Sequence, residues 1–128
     1  VAVLEAMSRE RVSQNVRDLS PVLIEGIRKG LSDHPHVGSV QGAGFMLGIE
    51  FVADRGTRQP FDRKLKVAER LLAHALEEGV TLWPNVGQAD GVSGDLVMVG
   101  PPLNSTAAEV KEVVERVVSV VRSFQMPS

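Results

Sequence analysis

The run from Gly94 to Leu103, G-D-L-V-M-V-G-P-P-L, constrains this chain more than any other stretch. Leu96, Val97, Met98 and Val99 predict a short apolar strand, and Pro101-Pro102 stops it. Thr106-Ala107-Ala108-Glu109 follows as a T-x-x-E capping box that starts a helix. Val110, Val113, Val114, Val117, Val121 and Phe124 recur at helical spacing and predict its buried face. So many valines lower helix propensity slightly, so packing must supply much of this helix's stability.

Upstream, Val12, Val16, Leu19, Leu23, Ile27 and Leu31 also recur at spacings of three and four. The stripe keeps its phase across Pro21, which predicts one long helix kinked at the proline rather than two helices. Two strands are expected next, over 37–41 and 45–52. The second is apolar apart from Glu50 and so central in its sheet. After a polar connection over 54–60, Asp62 is placed to cap a helix with Leu65, Ala68, Leu72, Ala75 and Leu76 on one face. Gly79 ends that helix. A strand over 80–83 is stopped by Pro84, and a Gly-rich segment over 85–95 predicts a flexible loop. The element order α-β-β-α-β-β-α predicts an α+β fold. Three to four mostly antiparallel strands would carry helices on one face, in a single domain over 1–128.

Composition excludes several function classes. Hydrophobic residues make up 43% and charged residues 23% of the 128, the mix of an ordinary globular domain. A formal net charge of −2 with 4% aromatic residues argues against nucleic-acid binding. No apolar run approaches the roughly 20 residues needed to span a bilayer, and the N-terminus lacks the pattern of a signal peptide. With no cysteine there is no disulfide, thiolate metal site or thiol nucleophile, which permits a cytoplasmic location. The chain does not begin with Met, which points to a processed chain or a piece of a longer one.

Local motifs assemble no active site. Gly42-Ala43-Gly44 fails the dinucleotide fingerprint, because Leu47 stands where the third glycine belongs and a strand follows instead of a helix. A turn between strands explains it better. His34-Pro35-His36 lacks a third metal ligand, since the remaining histidine, His74, lies mid-helix, so a solvated loop is expected. Asn104-Ser105-Thr106 matches a glycosylation sequon, but Ser105 and Thr106 are accounted for as helix-start residues. Glu77 and Glu78 are adjacent on a helix and point apart, and Asp90 and Asp95 are more simply turn formers. Glu50 is the best candidate for a buried acid, with a strand-edge salt bridge as its plainer role.

The order of segments says more than any single residue. V-Q-G-A-G-F-M-L-G-I-E-F-V precedes a helix, then G-V-T-L-W-P, a D-G loop, G-D-L-V-M-V-G-P-P-L and the T-x-x-E helix. From about Val3 to Phe124 this resembles the C-terminal small domain of class III aminotransferases, pyridoxal-phosphate enzymes of the ornithine and omega-amino acid type. The resemblance implies a parent enzyme that moves an amino group from an amine or omega-amino acid to a 2-oxo acid. It implies a large domain upstream, where a lysine forms the Schiff base with pyridoxal 5'-phosphate, and a homodimer partner. Neither large-domain motif occurs in this chain, so it carries no catalytic or cofactor-anchoring residue and is expected to be inactive and cofactor-free alone. Other class III chemistry, decarboxylation coupled to transamination, stays open. So does a stand-alone α+β binding module.

Within the resemblance, Trp83, Pro84, Met98, Gly100 and Pro101 fall at strand ends expected to line the substrate cleft. For Trp83 and Met98, a plain core role is the alternative. Two positions depart from the family pattern. Gln41 stands where members usually carry Arg in V-R-G-x-G, which removes a fork of donors. Met98 stands three residues before the double proline, where members that grip an α-carboxylate often carry Arg. A thioether makes no such clamp, which points to amine or omega-amino donors.

Overall fold

The computed structural model describes all residues, 1–128. The elements are α1 (Ala2–Arg9), α2 (Val12–Gly30), β1 (Val37–Ala43), β2 (Met46–Phe51), a 3-10 turn (Arg63–Leu65), α3 (Val67–Glu77), β3 (Trp83–Val86), β4 (Asp95–Val99) and α4 (Ala107–Ser123). The four strands form one antiparallel sheet in the order β1-β2-β4-β3, so β2 is central as its apolar run predicted. The α+β architecture follows the expected order, with the short α1 added at the front. No helix is long and apolar enough to cross a membrane.

Strand parity decides the core. Side chains alternate along a strand, and Leu47, Ile49 and Phe51 of β2 and Val97 and Val99 of β4 all point to one side and are buried. There they meet Leu23, Ile27 and Leu31 from α2 and the segment after it, Val67, Leu71 and Ala75 of α3, and Val110, Val117, Val120 and Val121 of α4 in one cluster. The helices cover this face alone.

Helix α2 runs unbroken through Pro21, whose side is exposed. Its predicted stripe holds at Val12, Leu23 and Ile27, which are buried. Between α1 and α2, Arg11 adopts a left-handed backbone with φ of 51°. Thr106 caps α4 in the expected reciprocal box with Glu109. Gly44 takes φ of 59° at the two-residue connection from β1 to β2.

Three local expectations are corrected. Asp62 caps the 3-10 turn by accepting from the Lys64 N–H, and α3 starts only at Val67, after Lys66. This rotates the buried face of α3 onto Val67, Ala68, Leu71 and Ala75 and leaves Leu76 exposed. The third strand begins at Trp83 and contains Pro84 instead of stopping there. β3 lies at the sheet edge, where a missing N–H on the outer side breaks no ladder bond. Finally, the 87–94 connection is a tied hairpin end. Asp90 accepts from the N–H groups of Val92 and Ser93, and Gly87 N–H donates to the Gly94 carbonyl.

Candidate functional site

The register brings three residues singled out in the sequence onto one line. Gln41 pairs with Gly48, Gly48 with Met98, and Met98 with Trp83, so one row crosses all four strands. Directly opposed residues in an antiparallel pair share a face. This row has the opposite parity to Leu47, Ile49, Val97 and Val99, so it lies on the face that no helix covers. Trp83 is 72% exposed and Met98 half-buried, so neither is a core residue.

Two shallow hollows share Met46 and Met98, one at the strand ends beside this face, where it also meets Leu82 and Val99 of the core side, and one on the face itself. One, of about 430 Å³, is bounded by Phe45, Met46, Trp83, Met98 and Gly100. The other, of about 530 Å³, lies between Gln41, Met46, Leu96 and Met98 over Gly48. A Cβ at Gly48 would stand 3.3 Å from Leu96 Cδ1, so glycine lets Leu96 lie across β2. Neither hollow is lined by an ionisable side chain.

The remaining sequence candidates part company with this row. Pro84 pairs with Val97 and therefore falls on the helix side of the sheet, half-buried. Pro101 is buried and borders an adjoining hollow with Val113 and Arg116, which shares Leu82, Val99 and Gly100 with the first. Met46 is the residue sequence reasoning missed. It is 66% exposed at the meeting point of the two hollows. The apolar run around it looked uniformly buried, yet parity with Gly48 and Glu50 was available to place it outward.

Three charged or polar expectations also change. Asp95 is fully buried at the start of β4 instead of forming a turn. Its Oδ1 accepts from Arg63 Nη1 at 2.8 Å and from the Ala68 N–H at 2.9 Å, while Oδ2 has no partner. Arg63 also pairs with Glu69, and this hydrogen bond raises the guanidinium pKa above its ordinary value, with the charge of Asp95 adding to it. Glu50 makes no salt bridge. It is half-buried on the open face and accepts from Ser39 Oγ at 3.3 Å. The His34-Pro35-His36 segment is not a solvated loop, because His34 is buried and His36 half-buried against Phe61. No group of three potential ligands could hold a metal ion.

Residues 1–121 match the family model for aminotransferase class-III. The chain belongs to the class III aminotransferases. Over 116 residues it is 37% identical to a diaminobutyrate–2-oxoglutarate transaminase of Halomonas elongata, covering 91% of this chain and 24% of that one. It is 33% identical to an adenosylmethionine-8-amino-7-oxononanoate aminotransferase of Methanocaldococcus jannaschii, covering 86% and 22%. Among solved structures, a transaminase obtained by ancestral reconstruction superposes with a TM-score of 0.81 at 36% identity, covering 94% of this chain and 25% of the other. The chain thus spans about a quarter of the length of these relatives.

Class III aminotransferases use pyridoxal phosphate, and a pyridoxamine-phosphate-bound aminotransferase from Vibrio fluvialis superposes on this fold with a TM-score of 0.72 at 28% identity. The residues of this chain do not fit that cofactor. Attachment needs a lysine aimed into a cleft. Lys29, Lys64, Lys66 and Lys111 are all exposed, and none borders either hollow of the open face.

Proposed function

We propose that this chain is the C-terminal small domain of a class III aminotransferase and that its open sheet face forms one wall of the substrate cleft. The parent enzyme, a cytoplasmic homodimer, transfers an amino group from an amine or omega-amino acid to a 2-oxo acid. The lysine and the cofactor belong to the large domain. The observation that carries this reading is the row Gln41–Gly48–Met98–Trp83 on a face free of helices. It aligns both departures from the family pattern with the exposed tryptophan.

The chemistry of this wall is binding and exclusion. Met98 and Met46 offer polarisable apolar contact, and Trp83 offers an aromatic face. No cation on the wall pairs with a carboxylate, and the one formal charge on the face, Glu50, repels one. The wall therefore offers no clamp for an α-carboxylate, which favours amines and omega-amino acids as donors, with the acceptor's carboxylate held elsewhere.

Met98→Arg in the full-length enzyme tests this. A charge-assisted pair contributes roughly 1.5–3 kcal/mol, so kcat/KM for α-amino acid donors should rise about tenfold or more relative to apolar amines. A strong preference for α-amino acids that replacement of Met98 leaves unchanged would overturn the reading.

A further inference from the structure

The connection between α2 and β1 is held from several directions around one buried imidazole. His34 Nδ1 accepts from the His36 N–H at 3.2 Å, closing a turn across Pro35. A backbone N–H can only donate, so this Nδ1 is unprotonated and the neutral ring carries its proton on Nε2. His36 is the opposite tautomer, because its Nδ1 lies 3.0 Å from the Val52 carbonyl, which can only accept. The main chain of the turn continues into the sheet. Val37 N–H donates to the His34 carbonyl, and Val52 N–H donates to the His36 carbonyl at 2.9 Å.

Cations clamp the outside of the same turn. From the connection after β2, Arg55 Nη1 donates to the Ser32 carbonyl at 2.7 Å and to the His34 carbonyl at 3.4 Å. From the last turn of α4, Arg122 Nε donates to the Gly30 carbonyl at 2.9 Å and its Nη2 pairs with Asp33. Burial outweighs the backbone of Val121 in α4, which favours the protonated His34 ring. The charged and titratable groups around it are thus Asp33 and His36 in its own segment, Arg122 on α4 and Arg55 on the far side.

We propose that His34 is an acid-released latch: its neutral ring holds the α2–β1 connection shut against α4, and protonation opens that connection. A proton on Nδ1 removes the only acceptor for the His36 N–H and sets two donors against each other. It also places a third cation beside Arg122 and Arg55. Asp33 compensates only in part, because it is exposed and already paired with Arg122.

The direction of titration agrees. Burial, with the charges of His36 and Arg122 adding to it, holds His34 below its ordinary value of 6.5. The open form therefore takes up the proton first. The closed form keeps its full advantage above about 6.5 and loses it as pH falls through the lowered value.

His34→Asn separates the latch from mere packing, because an asparagine Oδ1 can accept from the N–H two residues on, as in an Asx turn, at any pH. In the 128-residue chain, amide exchange at His36 and Val37, corrected for intrinsic rates, is expected to rise about tenfold between pH 7 and 5. The midpoint should coincide with the NMR titration of the His34 ring, and H34N should show no such rise. Arg122→Gln should move the wild-type midpoint upward, since it removes a cation and frees Asp33. Equal acid opening in wild type and H34N, or protonation of His34 with no change in exchange, would overturn the proposal. Should H34N fail to fold, a mismatch between the two wild-type midpoints does so by itself.

Discussion

Asp95 is the residue at which local and long-range reading diverge most. Flanked by Gly94 and a Gly-rich segment, it has the local signature of a turn. What buries it is parity with Val97 and Val99 and a cation 32 positions earlier in the chain, Arg63. Its carboxylate also serves as a remote cap for α3 through the Ala68 N–H. Asp95→Ala leaves the buried Ala68 N–H without an acceptor and takes one of two carboxylate partners from Arg63, so it should destabilise the chain by about 1–3 kcal/mol. Asp95→Asn should cost clearly less, because the amide oxygen can still accept from the Ala68 N–H. Urea unfolding at pH 7 checks both, and equal losses for the two variants would mean that the capping bond contributes nothing. At this same scale the sequence singled out Gln41, Trp83 and Met98, because a motif in fixed order identifies a position whatever surrounds it, but that they share one face was not legible. Pro84 and Pro101 were not separable from them, since only strand pairing says which face a residue occupies.

The helices show what periodicity can and cannot reveal. The α2 stripe predicted one long helix kinked at Pro21, and the helix does run through that proline, while the capping box predicted the start of α4. The glycines that bring these two helices together stand at helical spacing, four apart, but carry no apolar side chain and so stay out of the hydrophobic stripe. A Cβ at Gly26 would lie 2.8 Å from Val114 Cγ1, and one at Gly30 would lie 2.6 Å from Val118 Cγ2, so both positions require a bare backbone. Gly26→Ala gains about 1 kcal/mol of helix propensity, but overpacking against Val114 costs roughly 1–3 kcal/mol. A net destabilisation of about 1 kcal/mol is expected, and adding Val114→Ala should restore more than half of it. If Gly26→Ala proves stabilising by urea midpoint, the contact is looser than the geometry says. The strands follow a second rule invisible in single segments. Both sheet edges are protected, β3 by Pro84 and β1 by Arg28, whose Nε donates to the Val40 carbonyl. The rule that proline stops a strand misplaced β3 because it holds for central strands, and nothing local marks a strand as an edge.

At the scale of the molecule, one sheet face is packed and the other is bare. The bare face carries Met46 and Trp83, and the outer side of α1 exposes Val3 and Leu4. A chain spanning about a quarter of its relatives' length has these surfaces available for the remainder of such a protein to cover. Trp83 supplies the measurement, because it is the only tryptophan and stands at the end of the row through Met98. In the 128-residue chain its emission should be that of a water-exposed indole, freely quenched by acrylamide. In a full-length chain containing these residues, a selective probe can be made by replacing every other tryptophan. Trp83 emission should then shift to the blue, and its quenching constant should fall several-fold if the open face lines a cleft. Adding an apolar amine should lower the quenching further, since the ligand would occupy the hollow between Trp83 and Met98. Quenching that is the same in the short and full-length chains would place Trp83 on an outer surface and remove the open face from the active site. A fall in quenching that no amine alters would instead assign the face to contact between domains, and would move the donor-selecting wall away from Met98.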